Sequence, residues 1–211
     1  MEIISLNVGL PAHQRLGDHE FYTGILKAPV TAAMLRRANF DGDGQADLVH
    51  HGGPDRAVCV FAFDHYRHWE SVLGHPLPMG AFGENLTVLG AVEAEVCIGD
   101  TFRIGEAVVQ VSMPRGPCLK VSRRLGRDDL IKPLEDAGHT GFYMRVLTEG
   151  RVRSGEPFGL AARHPAGITV AAVNDLLYGR STDRSVFEQA MAIPEFAEAG
   201  RRWLMRQVKD A

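Results

Sequence analysis

Cys118 stands in the stretch Gln110-Val111-Ser112-Met113-Pro114-Arg115-Gly116-Pro117-Cys118-Leu119-Lys120, where an apolar alternation ends and two prolines and a glycine fix the backbone. Arg115 and Lys120 flank the thiol. Cations so placed favour the thiolate, which is both a nucleophile and a soft metal ligand. Free cysteine is also among the residues most often buried as a small apolar side chain, so this turn alone leaves chemistry and packing equally open. A second polar, glycine-rich stretch is His50-His51-Gly52-Gly53, with Arg56 just beyond. Adjacent histidines on an extended chain point to opposite faces. No CxxC or HExxH spacing supplies the further ligands of a zinc site. Gly52 and Gly53 point instead to close backbone approach to a ligand, with N–H groups free for an anion.

Three smaller signals accompany these. Lys27 sits at a strand entry in Thr23-Gly24-Ile25-Leu26-Lys27-Ala28-Pro29-Val30. Asn85, in Phe82-Gly83-Glu84-Asn85-Leu86, reads as a turn residue that orders its loop through the side-chain amide. Arg115, Lys120, Arg123, Arg124 and Arg127 form a basic cluster around the thiol. Such a run is ordinarily a solvated face, yet an arginine held in a Pro-Arg-Gly-Pro turn suits fork-like contacts to phosphate. Cys59 and Cys97 lie inside apolar runs and read as structural.

The elements that must position these residues are mostly β. Short β-branched runs at Ile3–Val8, Val58–Phe63, Leu86–Val88, Ala107–Val111 and Phe142–Leu147 alternate with Gly-Asp and Glu-Gly turns, a pattern of barrels and sandwiches. No βαβ unit with a glycine-rich phosphate loop is present, which argues against a dinucleotide-binding fold. One helix is expected after Asp64 as N-cap, with Gly74 as its stop, and a weaker one from Arg127 to Gly138, interrupted by Pro133. Beyond His164-Pro165-Ala166-Gly167 the composition changes. Thr169–Leu177, Asp183–Ala192 and Pro194–Val208 read as three amphipathic helices, with Thr169 and Asp183 as N-caps and Pro194 in a first turn. The expected division is a β domain over 1–164 and a three-helix extension over 165–211.

The chain has 211 residues, of which 45% are hydrophobic and 23% charged, as in a soluble protein with a substantial core. A net charge of -3 offers no global attraction to nucleic acid, so any anion site must be local. The longest apolar run, Ala57 to Phe63, is too short to span a bilayer. Met1-Glu2-Ile3-Ile4 opens without the pattern of a signal peptide. Three cysteines at unrelated spacings make a disulfide framework unlikely and fit a reducing cytoplasm.

In order along the chain, TGILKAPV, DGQADLVHHGGPDRAV, FGENL, GDTFRIGEAVVQVSMPRGPCLK and HTGFYMRVL resemble a MOSC domain, the domain found at the C-terminus of molybdenum cofactor sulfurases. The helical tail resembles the three-helix extension of the YiiM-type subgroup. The resemblance covers nearly the whole chain and implies a mostly β barrel. It implies that Cys118 is the thiolate ligand of molybdenum in the molybdopterin cofactor, or a sulfur carrier. His51, Gly52, Gly53, Arg56, Asn85, Arg115 and Lys120 become pocket residues, with Lys27 a further phosphate contact. Met113 stands where related chains often carry Gln, which removes a polar contact, and His50 lies ahead of the shared motif. The implied reaction is two-electron reduction of N-hydroxylated compounds, such as N-hydroxylated purine bases, to amines. Either His51 or Asn85 handles the proton or orients the substrate. No flavin, haem or iron–sulfur motif is present, so electrons come from a partner protein. Two alternatives stay open: a sulfur carrier using a Cys118 persulfide, and a module that only binds cofactor.

Overall fold

Val58–Ala62 is buried at every position, because this strand lies between two neighbours in the middle of a sheet. That location explains the uninterrupted apolar run from Ala57 to Phe63: a strand covered on both faces has no use for alternation. The computed structural model describes residues 1–49 and 51–209. His50 lies outside the described residues.

Twelve strands are formed: β1 (Glu2–Val8), β2 (Ala12–Leu16), β3 (His19–Thr23), β4 (Ala28–Val30), β5 (Ala32–Leu35), β6 (Val58–Ala62), β7 (Leu86–Leu89), β8 (Thr101–Ile104), β9 (Ala107–Pro114), β10 (Phe142–Thr148), β11 (Gly150–Arg153) and β12 (Phe158–Ala162). Eight of them make one sheet in the order β12-β8-β9-β10-β6-β7-β1-β4, and β11-β5 and β2-β3 are separate pairs. Every pairing is antiparallel except β6 with β7. The expected barrel is not closed as a continuous strand ladder. β1 meets the segment entering β12 at an isolated bridge between Glu2 and Pro157, where Ile3 N–H donates to the Glu156 carbonyl at 3.0 Å, Gly155 N–H to the Ile3 carbonyl at 2.7 Å and Phe158 N–H to the Met1 carbonyl at 3.1 Å.

The helices are α1 (Tyr66–Leu73), α2 (Leu119–Arg124), α3 (Ile131–Ala137), α4 (Val170–Leu177), α5 (Arg184–Ala192) and α6 (Glu198–Lys209). Thr169 and Asp183 cap α4 and α5 as expected: Ala172 N–H donates to Thr169 Oγ1 at 3.0 Å, and Ser185 N–H to Asp183 Oδ1 at 2.8 Å. Three expectations need correction. Asp64 is not a cap, because a 3₁₀ turn over Phe63–His65 delays α1, and its carboxylate accepts from Gly90 N–H instead. Pro133 does not interrupt α3, since the helix begins at Ile131 and places the proline in its first turn, where no intrahelical donor is lost. Pro194 precedes α6 rather than opening it. Ile193 and Phe196 are buried there and Ala197 N–H donates to the Ser112 carbonyl of β9, which ties the segment to the sheet before the helix starts.

One apolar cluster contains sheet residues such as Val109, Val111 and Met144 together with Val170, Val173, Phe196 and Leu204 of the C-terminal segment. A second cluster joins Phe61, Trp69, Phe82, Val121 and Leu134, and so packs α1, α2 and α3 against the sheet. No helix among the described residues is long and apolar enough to cross a membrane.

Candidate functional site

The Cys118 turn links the end of β9 to α2. Arg115 N–H donates to the Gly141 carbonyl at 3.1 Å, while the Arg115 guanidinium donates to the Phe82 carbonyl. Cys118 then occupies the cap position of α2 in an extended conformation, and its carbonyl accepts from Val121 N–H at 3.0 Å. Its side chain is half-buried, whereas Cys59 and Cys97 are buried.

A cleft opens beside this turn. Lys27, His51, Arg56, Asn85, Arg115, Cys118 and Lys120 all line it, so seven residues from four separate stretches of sequence converge. Gly52 and Gly53 do not line it. Gly52 is buried against Leu48, where a Cβ would stand 2.8 Å from the Leu48 Cα. Gly53, at φ +95°, turns the chain into the 3₁₀ turn Pro54–Arg56. These glycines shape the loop that carries Arg56, whose guanidinium donates to the Gly52 carbonyl at 3.3 Å. The turn is anchored from the sheet: Ser112 Oγ donates to the Asp55 carbonyl at 2.6 Å, and Arg145 Nε to the Asp55 carboxylate at 2.7 Å.

The polar residues differ in how far the protein already satisfies them. Asn85, 1% exposed, receives Cys59 N–H on its oxygen at 3.1 Å and donates to Asp43 Oδ2 at 2.9 Å and to the Asn7 carbonyl at 3.3 Å. Its amide is therefore committed to holding β1, β6 and the Asp43 loop together. Lys27 is ion-paired with Asp43, and both side chains are buried. Lys120 and the His51 ring, by contrast, have no hydrogen-bond partner among the described residues. Burial first, and then the Arg115, Lys120 and Arg56 charges, hold the His51 imidazole below the usual histidine range against the opposing pull of Asp47. The His51 ring is thus held toward its neutral form, which carries one N–H donor and one lone pair.

Of the remaining basic cluster, Arg123 pairs with Asp128 and Arg127 with Asp129, whereas Arg124 Nη1 donates to the Ile25 and Gly80 carbonyls at 2.6 Å. Only Arg115 and Lys120 face the cleft. Burial opposes the Arg115 charge, but the Glu84 carboxylate favours it, and a guanidinium stays protonated throughout the working pH range.

Two residues of the cleft wall, and one that holds it from beneath, were not read as site residues in the sequence. Asp43 sat in a run that reads only as a turn. Cys59, buried as expected, also forms part of the cleft wall, opposite Tyr143 in the β6–β10 register. Tyr143 lines this cleft and a second one that adjoins it, and burial pushes its phenol up. Among the described residues no three His, Cys, Asp or Glu side chains converge as a metal site. A metal held here by Cys118 would bring its other ligands with it. The donor set suits such a group: a half-buried sulfur in the same cleft as two guanidinium groups and an ammonium.

Comparison with known proteins accords with this geometry. The family model described as MOSC domain matches residues 47–158, and that described as YiiM-like, 3-alpha helix domain matches residues 168–209. Protein YflK of Bacillus subtilis (strain 168) is 46% identical over 206 residues, covering 97% of this chain and 93% of that protein. A protein named Reductase from Gibberella moniliformis (strain M3125 / FGSC 7600) is 32% identical over 158 residues, or 72% of this chain but 28% of its own length. The crystal structure of YiiM from Geobacillus stearothermophilus superposes with a TM-score of 0.82 at 32% identity, covering 98% of both chains. With the fold and both parts of the sequence in agreement, this chain belongs to the MOSC-domain family and carries the YiiM-like three-helix extension.

Proposed function

We propose that the protein binds a molybdenum–molybdopterin cofactor through Cys118 and reduces N-hydroxylated compounds to amines. The observation that carries the reading is the convergence of a half-buried thiol with Arg56, Arg115 and Lys120 in one cleft. Membership of the MOSC family supports cofactor binding, and the relative named Reductase supports redox chemistry.

Cys118 would be the protein's ligand to the metal, because a thiolate is the soft donor such a centre takes. Lys120, Arg56 and Arg115 would neutralise the cofactor's phosphate, the arginines through paired N–H donors. Lys27 would contribute less, since Asp43 already balances its charge. When bound, the cofactor supplies the two electrons that cleave the N–O bond. The overall balance is R–NHOH plus two electrons and two protons giving R–NH₂ and water. The neutral His51 ring orients the hydroxylamine oxygen and relays protons, while the Asn85 amide holds the cleft wall in place. Electrons arrive from a separate donor protein. A reducing cytoplasmic setting fits three cysteines that are all free.

The test is metal analysis of protein purified from a host that makes the cofactor. Stoichiometric molybdenum is expected, with loss in Cys118→Ser. Retention of molybdenum by that variant would remove Cys118 as the ligand. Chemically reduced, loaded protein should convert an N-hydroxylated base to its amine. Labelled sulfur on Cys118 without such turnover would transfer the assignment to sulfur carriage.

A further inference from the structure

The second cleft, about 260 Å³, is walled on one side by α6. Trp203, Arg206 and Ala199 face Met113 and Tyr143 across it, and it shares His51, Arg56, Gly116 and Tyr143 with the first. Two glycines let the helix come this close. A Cβ at Gly116 would stand 3.2 Å from Cη2 of Trp203, so the indole lies directly on the turn between Arg115 and Cys118. A Cβ at Gly200 would stand 3.2 Å from the Met113 Cβ, so α6 packs tightly against β9. Trp203 is only partly covered: its ring meets Tyr178 edge-on at 5.8 Å and lies over Gly116, and the side chain also lines the cleft.

We infer that the C-terminal extension completes the site, with Trp203 forming a stacking subsite for a flat heteroaromatic substrate ring. The subsite's chemistry is distinct from that of the first cleft. The first gathers a thiol and cations. The second presents an indole, the Met113 side chain and the Tyr143 ring, a set suited to a π face and its apolar edges. Met113 has its place in this arrangement. It lines the second cleft and not the first, so an apolar side chain here serves the ring rather than the cofactor. A ring seated against Trp203 directs its substituent toward His51 and Arg56, which with Gly116 and Tyr143 line both clefts. Arg206, exposed at the outer edge, can meet ring nitrogens or an attached oxygen. This assignment rests on the reductase reading for the ring's reactive substituent but not for the ring itself.

The chain has two tryptophans, and Trp69 is buried in the other apolar cluster. In full-length Trp69→Phe protein the emission of Trp203 is therefore a direct probe. Titration with adenine, which has no N–O bond to reduce, should quench that emission saturably. In the loaded, reduced enzyme, Trp203→Ala should raise the KM for an N-hydroxylated purine relative to that for N-methylhydroxylamine by about tenfold, the scale of one base–aromatic stack. Trp203→Phe should recover most of that ratio. No saturable quenching by adenine, or equal effects of Trp203→Ala on both substrates, overturns the subsite. Quenching without reduction of any N-hydroxylated compound retains the subsite and removes the reductase reading.

Discussion

Asp43 and Asn85, 42 residues apart in the chain, meet at 2.9 Å beneath the cleft, where the Asn85 amide donates to the Asp43 carboxylate. The other Asp43 oxygen takes Gly9 N–H at 2.9 Å and the Lys27 ammonium. One buried carboxylate thus joins β1, the β4 entry and the loop leading to His51. Asp43→Asn leaves a buried ammonium without its counterion, and the expected loss is about 3 kcal/mol. Urea unfolding measures it. A second change, Lys27→Met, should recover part of the loss in the double variant, as coupled neighbours do. Additive losses would contradict the pairing.

Lys120 and Arg127 are both cations near Cys118 in sequence, yet only Lys120 faces the cleft, while Arg127 pairs with Asp129 outside it. If the cleft holds an anionic cofactor, Lys120→Ala lowers molybdenum content several-fold after gel filtration. The deficit should deepen with added salt as the remaining cations are screened. Arg127→Ala should match the parent protein. Equal losses in the two variants would point to general basicity instead of a placed charge.

His139 predicts an acid-sensitive fold. Its ring stacks on His65 at 3.6 Å, and its Nδ1 is buried without a partner among the described residues. Burial, then the His65 and His68 charges, bring its pKa down to about 4 against the pull of Glu93. The unfolded chain takes up this proton near 6.5 and the folded one does not, so stability falls as pH drops from 6.5 toward 4. The ceiling is about 1.4 kcal/mol per pH unit. His139→Gln should flatten that stretch of the stability curve, which thermal melts in a pH series will show.

Gly200→Ala would ordinarily help a helix by up to about 1 kcal/mol. Here the new Cβ would stand 2.4 Å from Phe196 Cε2 as well as against Met113, so overpacking of about 1–3 kcal/mol works the other way. A lower melting temperature is expected. An unchanged or higher one would mean that α6 can shift on the sheet without cost.

What the sequence made legible follows from how local each signal is. The central strands were readable because apolar runs such as Val58–Ala62 announce burial by themselves. The caps of α4 and α5 were readable because a side chain bonds its own backbone a few residues on. The site residues were found through motifs, and seven of nine do line the cleft. Asp43 was hidden because its partners Gly9, Lys27 and Asn85 are brought to it only by folding. Tyr143 sits in a strand whose apolar character conceals that its ring faces a cleft. Trp203 lies in the stretch Pro194–Val208, which reads only as an amphipathic helix, and its ring does pack, over Gly116. The start of α1 was misread for a similar reason: a 3₁₀ turn is set by packing of Phe63 and His65, and Asp64 has a distant partner in Gly90.

The shared core of the sheet and the C-terminal helices has a bearing on how this protein can change over generations. Val170, Val173, Phe196 and Leu204 are inseparable from Val109 and Val111, so the extension is no detachable cassette. A mutation that tilts α6 to admit a bulkier substrate also disturbs the interior that keeps the chain folded. New specificities should therefore arise mainly at Ala199, Trp203 and Arg206, whose side chains border the cleft, with the helix axis itself left where it is.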